Sequence, residues 1–172
     1  MPVPTLVATA GAANANSFCT VAEATAYNDS HLYSSAWENA ENDQKIIACI
    51  WATRILDSNY AWKGIIASST QALQWPRYGV LDRNNQFYLS STTIPQFLIN
   101  ATAELARLLI EKDRLAEIDD QVSGIKAVTA DVVSVQFSTD LQDKKKIVPD
   151  SVYMLISWYL EGSKYSIPLV RG

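Results

Sequence analysis

Residues 92–118 read TTIPQFLINATAELARLLIEKDRLAEI, and this stretch decides the fold. Thr92-Thr93-Ile94-Pro95 is a helix start, with Pro95 near the first turn, where its missing N–H does no harm. Ile94, Leu98, Ala101, Leu105, Leu108 and Leu115 then recur at heptad-like spacing, which lines one helical face with apolar side chains. The spacing predicts a helix to about Ile118, roughly 36 Å long at the α-helical rise. Glu104, Arg107, Glu111 and Arg114 alternate in sign three or four residues apart, as expected of a solvated outer face.

Upstream, Asp43 to Ser58 is a second helix in which Ile46, Ile47, Cys49, Ile50, Trp51, Ile55 and Leu56 cover most of the circumference. Only Thr53, Arg54 and Asp57 form a polar edge, so this helix is expected in the middle of the bundle. Thr20-Val21-Ala22-Glu23 has capping-box spacing and should open a short helix to about Ser30. The first 16 residues carry no charge and read as a short extended segment and a loop.

Between the two long helices the period of 3.6 disappears. Gly64, Ser68-Ser69, Pro76, Gly79, Asn84-Asn85 and Ser90-Ser91 punctuate residues 60–93 as turns, with Tyr60, Trp62, Trp75, Tyr78, Phe87 and Tyr88 among them. Val80-Leu81 and Phe87-Tyr88-Leu89 can pair across Asp82 to Gln86. Residues 122–139 switch to a period of two, Val133, Val135 and Phe137 alternating with Ser134, Gln136 and Ser138; Ile125 to Val128 would pair with them across Thr129-Ala130-Asp131. Pro149 opens a last helix to about Leu160, stopped by Gly162. The expected fold is mainly α: a bundle of about four helices with a long central helix, an irregular aromatic-rich insertion and a small β-hairpin. Residues 1–162 form the single domain and residues 163–172 an extended C-terminal tail.

The 172 residues are 48% hydrophobic and 19% charged, enough apolar surface for one core without staples. The net charge of −4 argues against tight general binding to nucleic acid, which draws on Lys and Arg displacing counterions. Cys19 and Cys49 lack paired spacing and read as buried free thiols. The Ala-rich stretch Ala8 to Ala15 has no basic region before it, since the first basic side chain is Lys45, and no run reaches bilayer length. A soluble protein made in the cytoplasm, with no membrane contact, is expected.

Chemistry finds little footing. His31 is the one histidine and stands in a polar setting without a recognisable nucleophile, so neither a catalytic triad nor zinc is indicated. Asp119-Asp120 and the group Glu38, Glu41 and Asp43 read as solvated charge at helix ends. No glycine-rich loop precedes a Lys-Ser/Thr pair. Lys144-Lys145-Lys146 is the basic cluster, more naturally solvated than phosphate-binding. Trp51 and Trp158 lie on helical apolar stripes and read as core. Trp62 and Trp75 stand beside Lys63 and Arg77, the pairing that could stack unpaired bases. No enzyme, cofactor or metal is expected.

One set of segments is specific: Ala52-Thr53-Arg54-Ile55-Leu56-Asp57, Trp62-Lys63-Gly64, and Gln71-Ala72-Leu73-Gln74-Trp75-Pro76-Arg77-Tyr78-Gly79-Val80. With Ala15-Asn16-Ser17-Phe18, Ile94-Pro95 and Ala103-Glu104-Leu105-Ala106, they resemble a phage protein family labelled DnaT-like single-stranded-DNA-binding proteins, whose members look like head–tail connectors or adaptors of tailed phages. The resemblance implies a structural adaptor in the virion, at the head–tail junction, assembled in the host cytoplasm. It would be a homo-oligomeric ring, roughly dodecameric, between the portal protein and a tail or nozzle protein, and double-stranded DNA would pass through it without sequence-specific binding. Trp62, Lys63, Gly64, Gln71, Trp75, Pro76 and Arg77 are then the candidate interface or motif residues, because aromatic anchors dominate interface energy. The alternative takes the label literally: a single-stranded-DNA-binding accessory protein of replication.

Overall fold

Thr20 caps the first helix, α1 (Val21–Asn28), as its spacing predicts: Thr20 Oγ1 accepts from Glu23 N at 3.1 Å, and the Glu23 carboxylate accepts from Thr20 N at 2.8 Å. The computed structural model describes residues 2–112, 127–130, 133–136 and 147–162. A five-residue helix, α2 (Ser35–Asn39), follows; it is too short to leave a periodic signal, yet it buries Trp37, whose Nε1 donates to Thr25 Oγ1 at 3.2 Å. Then come α3 (Asn42–Asn59), α4 (Gln96–Glu111) and α5 (Asp150–Ile156), the last running into a 3₁₀ turn at Ser157–Tyr159. Leu160, extended at φ −89° and ψ 144°, ends that turn two residues before the expected stop at Gly162, which itself takes φ +66°. The fold is mainly α, and among the described residues no helix is long and apolar enough to cross a membrane.

The middle of the bundle is α4, not α3. α4 packs on α1, α2, α3 and α5, and residues 101–107 are all buried. α3 leaves Ile47 and Trp51 in solvent, Trp51 being 39% exposed, so Trp51 is not core as expected. Conversely Thr53, expected on the polar edge, is buried, and its hydroxyl accepts from Phe18 N at 3.0 Å. α4 also stops at Glu111 rather than near Ile118, because Lys112 is extended at φ −167° and ψ 156°.

Of the charges expected on the outer face of α4, Glu104 and Arg107 are buried, while Glu111 is exposed. Arg107 Nη2 meets Glu104 Oε1 at 2.8 Å, and Arg107 Nη1 meets Glu111 Oε1 at 2.8 Å. The loop after α1 covers the pair: Arg107 Nη1 donates to the Tyr33 carbonyl at 3.2 Å, and His31 Nε2 lies 3.7 Å from Glu104 Oε2. His31 is thus half-buried against a carboxylate rather than free on the surface.

Two short antiparallel pairs complete the described fold. β1 (Ile65–Ile66) pairs with β2 (Arg77–Tyr78), Ile65 opposite Tyr78. β3 (Ala127–Ala130) pairs with β4 (Val133–Gln136), Ala127 opposite Gln136, so Thr129 and Ala130 belong to the strand rather than the turn. The side chains of that hairpin, Arg114, Asp119-Asp120, Lys144-Lys145-Lys146 and the tail 163–172 lie outside the described residues. Cys19 and Cys49 are both buried and free, and the Cys19 thiol is pushed up by its contact with Cys49 and by burial.

Candidate functional site

The excursion between α3 and α4 is tied down by its own backbone. Trp62 bridges Leu160, Lys63 N donates to the Tyr159 carbonyl at 2.9 Å, and Glu161 N donates to the Ala61 carbonyl at 3.0 Å. Gly64 sits at φ +76°, and a Cβ there would lie 2.2 Å from the Tyr78 carbonyl oxygen, so glycine is required twice over. Gln71 fastens the next turn: its Oε1 accepts from Ser68 N at 2.9 Å, and its Nε2 donates to the carbonyls of Leu73 at 2.7 Å and Pro76 at 3.1 Å. Gln74 N donates to Asp57 Oδ1 at 2.8 Å, joining the excursion to the end of α3. The Trp75–Pro76 peptide is cis.

Arg77 lies underneath. Its Nε donates to the Lys63 carbonyl at 2.8 Å, Nη2 to those of Gly64 at 2.7 Å and Trp62 at 3.1 Å, and Nη1 to that of Gln74 at 3.2 Å. One guanidinium therefore gathers carbonyls from both halves of the excursion, which its rigid fork of donors suits. Burial lowers the Arg77 pKa, opposed by the charges of Glu161 and Asp57. Burial also raises the Asp57 carboxyl, despite the Gln74 hydrogen bond and the Arg77 charge. Tyr60 is pushed up to about 12, chiefly by burial.

The rings form a connected spine. Trp62 and Trp75 meet edge to face at 5.8 Å, Trp75 meets Phe97 at 5.5 Å, and Phe97 stacks on Tyr159 at 3.7 Å. Trp62 and Trp75 are each 1% exposed, so no base or partner protein reaches either ring. Lys63 is turned inward too, its Nζ donating to the Trp158 carbonyl and lying 5.3 Å from that ring's centroid. The structure thus brings Trp62, Lys63, Gly64, Gln71, Trp75, Pro76 and Arg77 together, as the interior framework of the excursion.

What this framework presents to solvent is a different set of rings. Tyr78, Phe87 and Tyr88 are exposed, the last two at 70% and 73%, beside exposed Ile65 and Ile66. The Leu81–Tyr88 bridge and the Leu89 N to Val80 carbonyl bond at 2.8 Å make the narrow ribbon foreseen from the sequence. Asp82 shapes its tip: Oδ1 accepts from Gln86 N at 2.8 Å, while Asn85 takes φ +57°, a conformation asparagine tolerates. Arg83 stands exposed on the tip. These residues were visible only as part of a ring-rich, turn-rich stretch; the Asn84-Asn85 signal places Phe87 and Tyr88 just past the turn, but nothing in the sequence says which rings face outward.

A family model described as "Putative DnaT-like ssDNA binding protein" matches residues 5–172. The chain belongs to this family. Comparison with curated proteins and with solved structures gives no match. The match overturns the adaptor expectation: the family is described by single-strand binding, the alternative reading, and nothing supports a dodecameric ring, a portal partner, a tail or nozzle partner, or double-stranded DNA passing through a channel. The physical ground for the ring falls with it, since the tryptophans expected to anchor neighbouring subunits are inside the fold. Among the described residues no group of three or more His, Cys, Asp or Glu side chains could hold a metal.

Proposed function

We propose that this chain is a non-catalytic single-stranded-DNA-binding protein, and that the strand lies on the ribbon of residues 77–89. The observation that carries the reading is the separation of roles among the rings. Trp62, Trp75 and Phe97 build the support, while Tyr78, Phe87 and Tyr88 are held out on a hairpin that the Arg77 cradle steadies. Base–aromatic stacking contributes about 1–3 kcal/mol per base and accepts any sequence, because every base has a π-face. Duplex DNA hides those faces, so the single strand is preferred.

The net charge of −4 shapes the mode of binding. With Arg83 the exposed cation on the ribbon tip, few phosphates are neutralised and stacking carries most of the affinity. Affinity is therefore modest and its salt dependence shallow.

Fluorescence anisotropy of labelled dT oligomers at low salt tests the proposal. Phe87→Ala and Tyr88→Ala should each weaken binding roughly 5- to 160-fold, the equivalent of one lost stacking contact. Arg83→Ala should mainly flatten the slope of log K against log salt. No binding of single strands at low salt, or equal binding of a duplex of the same length, would refute the reading.

A further inference from the structure

A cleft of about 460 Å³ lies between α1 and the first turns of α4, lined by Glu23, Ala26, Tyr27, Ser30, Gln96 and Asn100. Its polar groups are arranged in a particular way. Gln96 Nε2 donates to Asn100 Oδ1 at 2.9 Å, which uses one donor and one acceptor and leaves an amide oxygen on Gln96 and an amide nitrogen on Asn100. Glu23 binds Thr20 through Oε2, leaving Oε1. Among the described residues, none of these three atoms has a partner. Tyr27 adds a half-buried ring as a wall.

The cleft also adjoins the framework of the ribbon. Gln96 precedes Phe97, which packs between Trp75 and Tyr159, and the Tyr159 phenol feels the charges of Asp82 and Arg83 at the ribbon tip.

We infer that this cleft is a nucleobase subsite that reads the amine-bearing edge of one unstacked base in the bound strand. The inference rests on the single-strand reading above and deepens it. A phosphate is excluded by the Glu23 carboxylate. An exocyclic amine carries two hydrogens and meets two acceptors here, Glu23 Oε1 and the Gln96 amide oxygen, while the Asn100 amide nitrogen donates to the neighbouring ring nitrogen. Cytosine offers that pattern. Uracil places a carbonyl where the amine would be, opposite the carboxylate, and is disfavoured.

Competition between dC and dU oligomers of equal length tests this, because the two strands differ only in that edge. Wild-type protein should favour dC by roughly fivefold or more, the discrimination of one good edge contact. The Gln96→Ala/Asn100→Ala double variant changes two helical side chains that are not buried, and its dC-to-dU ratio should fall to about one. An unaltered melting temperature would show that it is folded. Equal affinity of wild type for dC and dU, or a ratio that survives the double variant, overturns the subsite while leaving strand binding standing. No binding of either oligomer overturns both.

Discussion

Arg77→Lys is the sharpest perturbation of the excursion, because it keeps the charge and removes the fork. The guanidinium reaches four backbone carbonyls, those of Trp62, Lys63, Gly64 and Gln74, at 2.7–3.2 Å, and also the Gln74 side-chain oxygen at 3.3 Å. A lysine ammonium has three donors radiating from one atom and cannot span carbonyls contributed by Trp62-Lys63-Gly64 on one side and Gln74 on the other. Two carbonyls left without a partner, at about 1–3 kcal/mol each when buried, give a loss of about 2–4 kcal/mol after partial rehydration. That is a large share of the ~5–15 kcal/mol that holds a domain together, yet it leaves the protein folded at 25 °C. Urea denaturation followed by circular dichroism should show a lowered midpoint with an unchanged slope. Tryptophan emission should shift to the red before global unfolding, since Trp62 and Trp75 lie directly on the cradle. A lysine variant within about 0.5 kcal/mol of wild type, the range of ordinary surface substitutions, would refute the idea that Arg77 organises this segment.

Three further outcomes follow from the same packing. Arg107→Met leaves the buried Glu104 carboxylate without its 2.8 Å partner and should destabilise by about 3–5 kcal/mol in thermal unfolding, whereas adding Glu104→Gln should recover much of the loss; equal losses in the single and double variants would refute the pairing. Gly64→Ala places a Cβ 2.2 Å from the Tyr78 carbonyl oxygen at φ +76° and should cost about 3 kcal/mol or more, read as a lowered urea midpoint; a neutral effect would refute the β1–β2 geometry. Asp57 has a folded-state carboxyl raised mainly by burial, so the folded protein holds its proton where the unfolded chain has released it. The stability it contributes is present below the unfolded pKa and is lost as pH rises through the folded one. Asp57→Asn keeps the acceptor for Gln74 N and has no proton to lose, so the stability of wild type relative to this variant should fall from acidic to neutral pH; a difference that stays flat or rises would overturn the assignment.

Period and caps made the helices legible: the Thr20–Glu23 box and the start of α4 after Pro95 are local features that the backbone obeys wherever the chain lies. Direction was not legible, because the side of a helix that faces solvent depends on what covers it. Glu104 and Arg107 carry the spacing of a solvated face, yet His31 and the Tyr33 carbonyl, far away in sequence, lie against them. Ile47 and Trp51 carry the pattern of a core face, and the described chain leaves them bare. The same inversion governs the candidate site. A Trp beside a Lys or Arg reads equally as a stacking platform or as a buried ring next to a cation that bonds carbonyls, and only the fold decides between them. Here it decides for the interior twice, at Trp62-Lys63 and at Trp75-Pro76-Arg77, because a long excursion with only short β pairs must satisfy most of its own carbonyls and cover its own rings. The residues that the sequence singles out as interface candidates are in that sense the ones that make the loop a structure. In the single-strand binding proposed above, the stacking falls instead to Tyr78, Phe87 and Tyr88, the exposed rings of the same segment, which stacking can use in any sequence context.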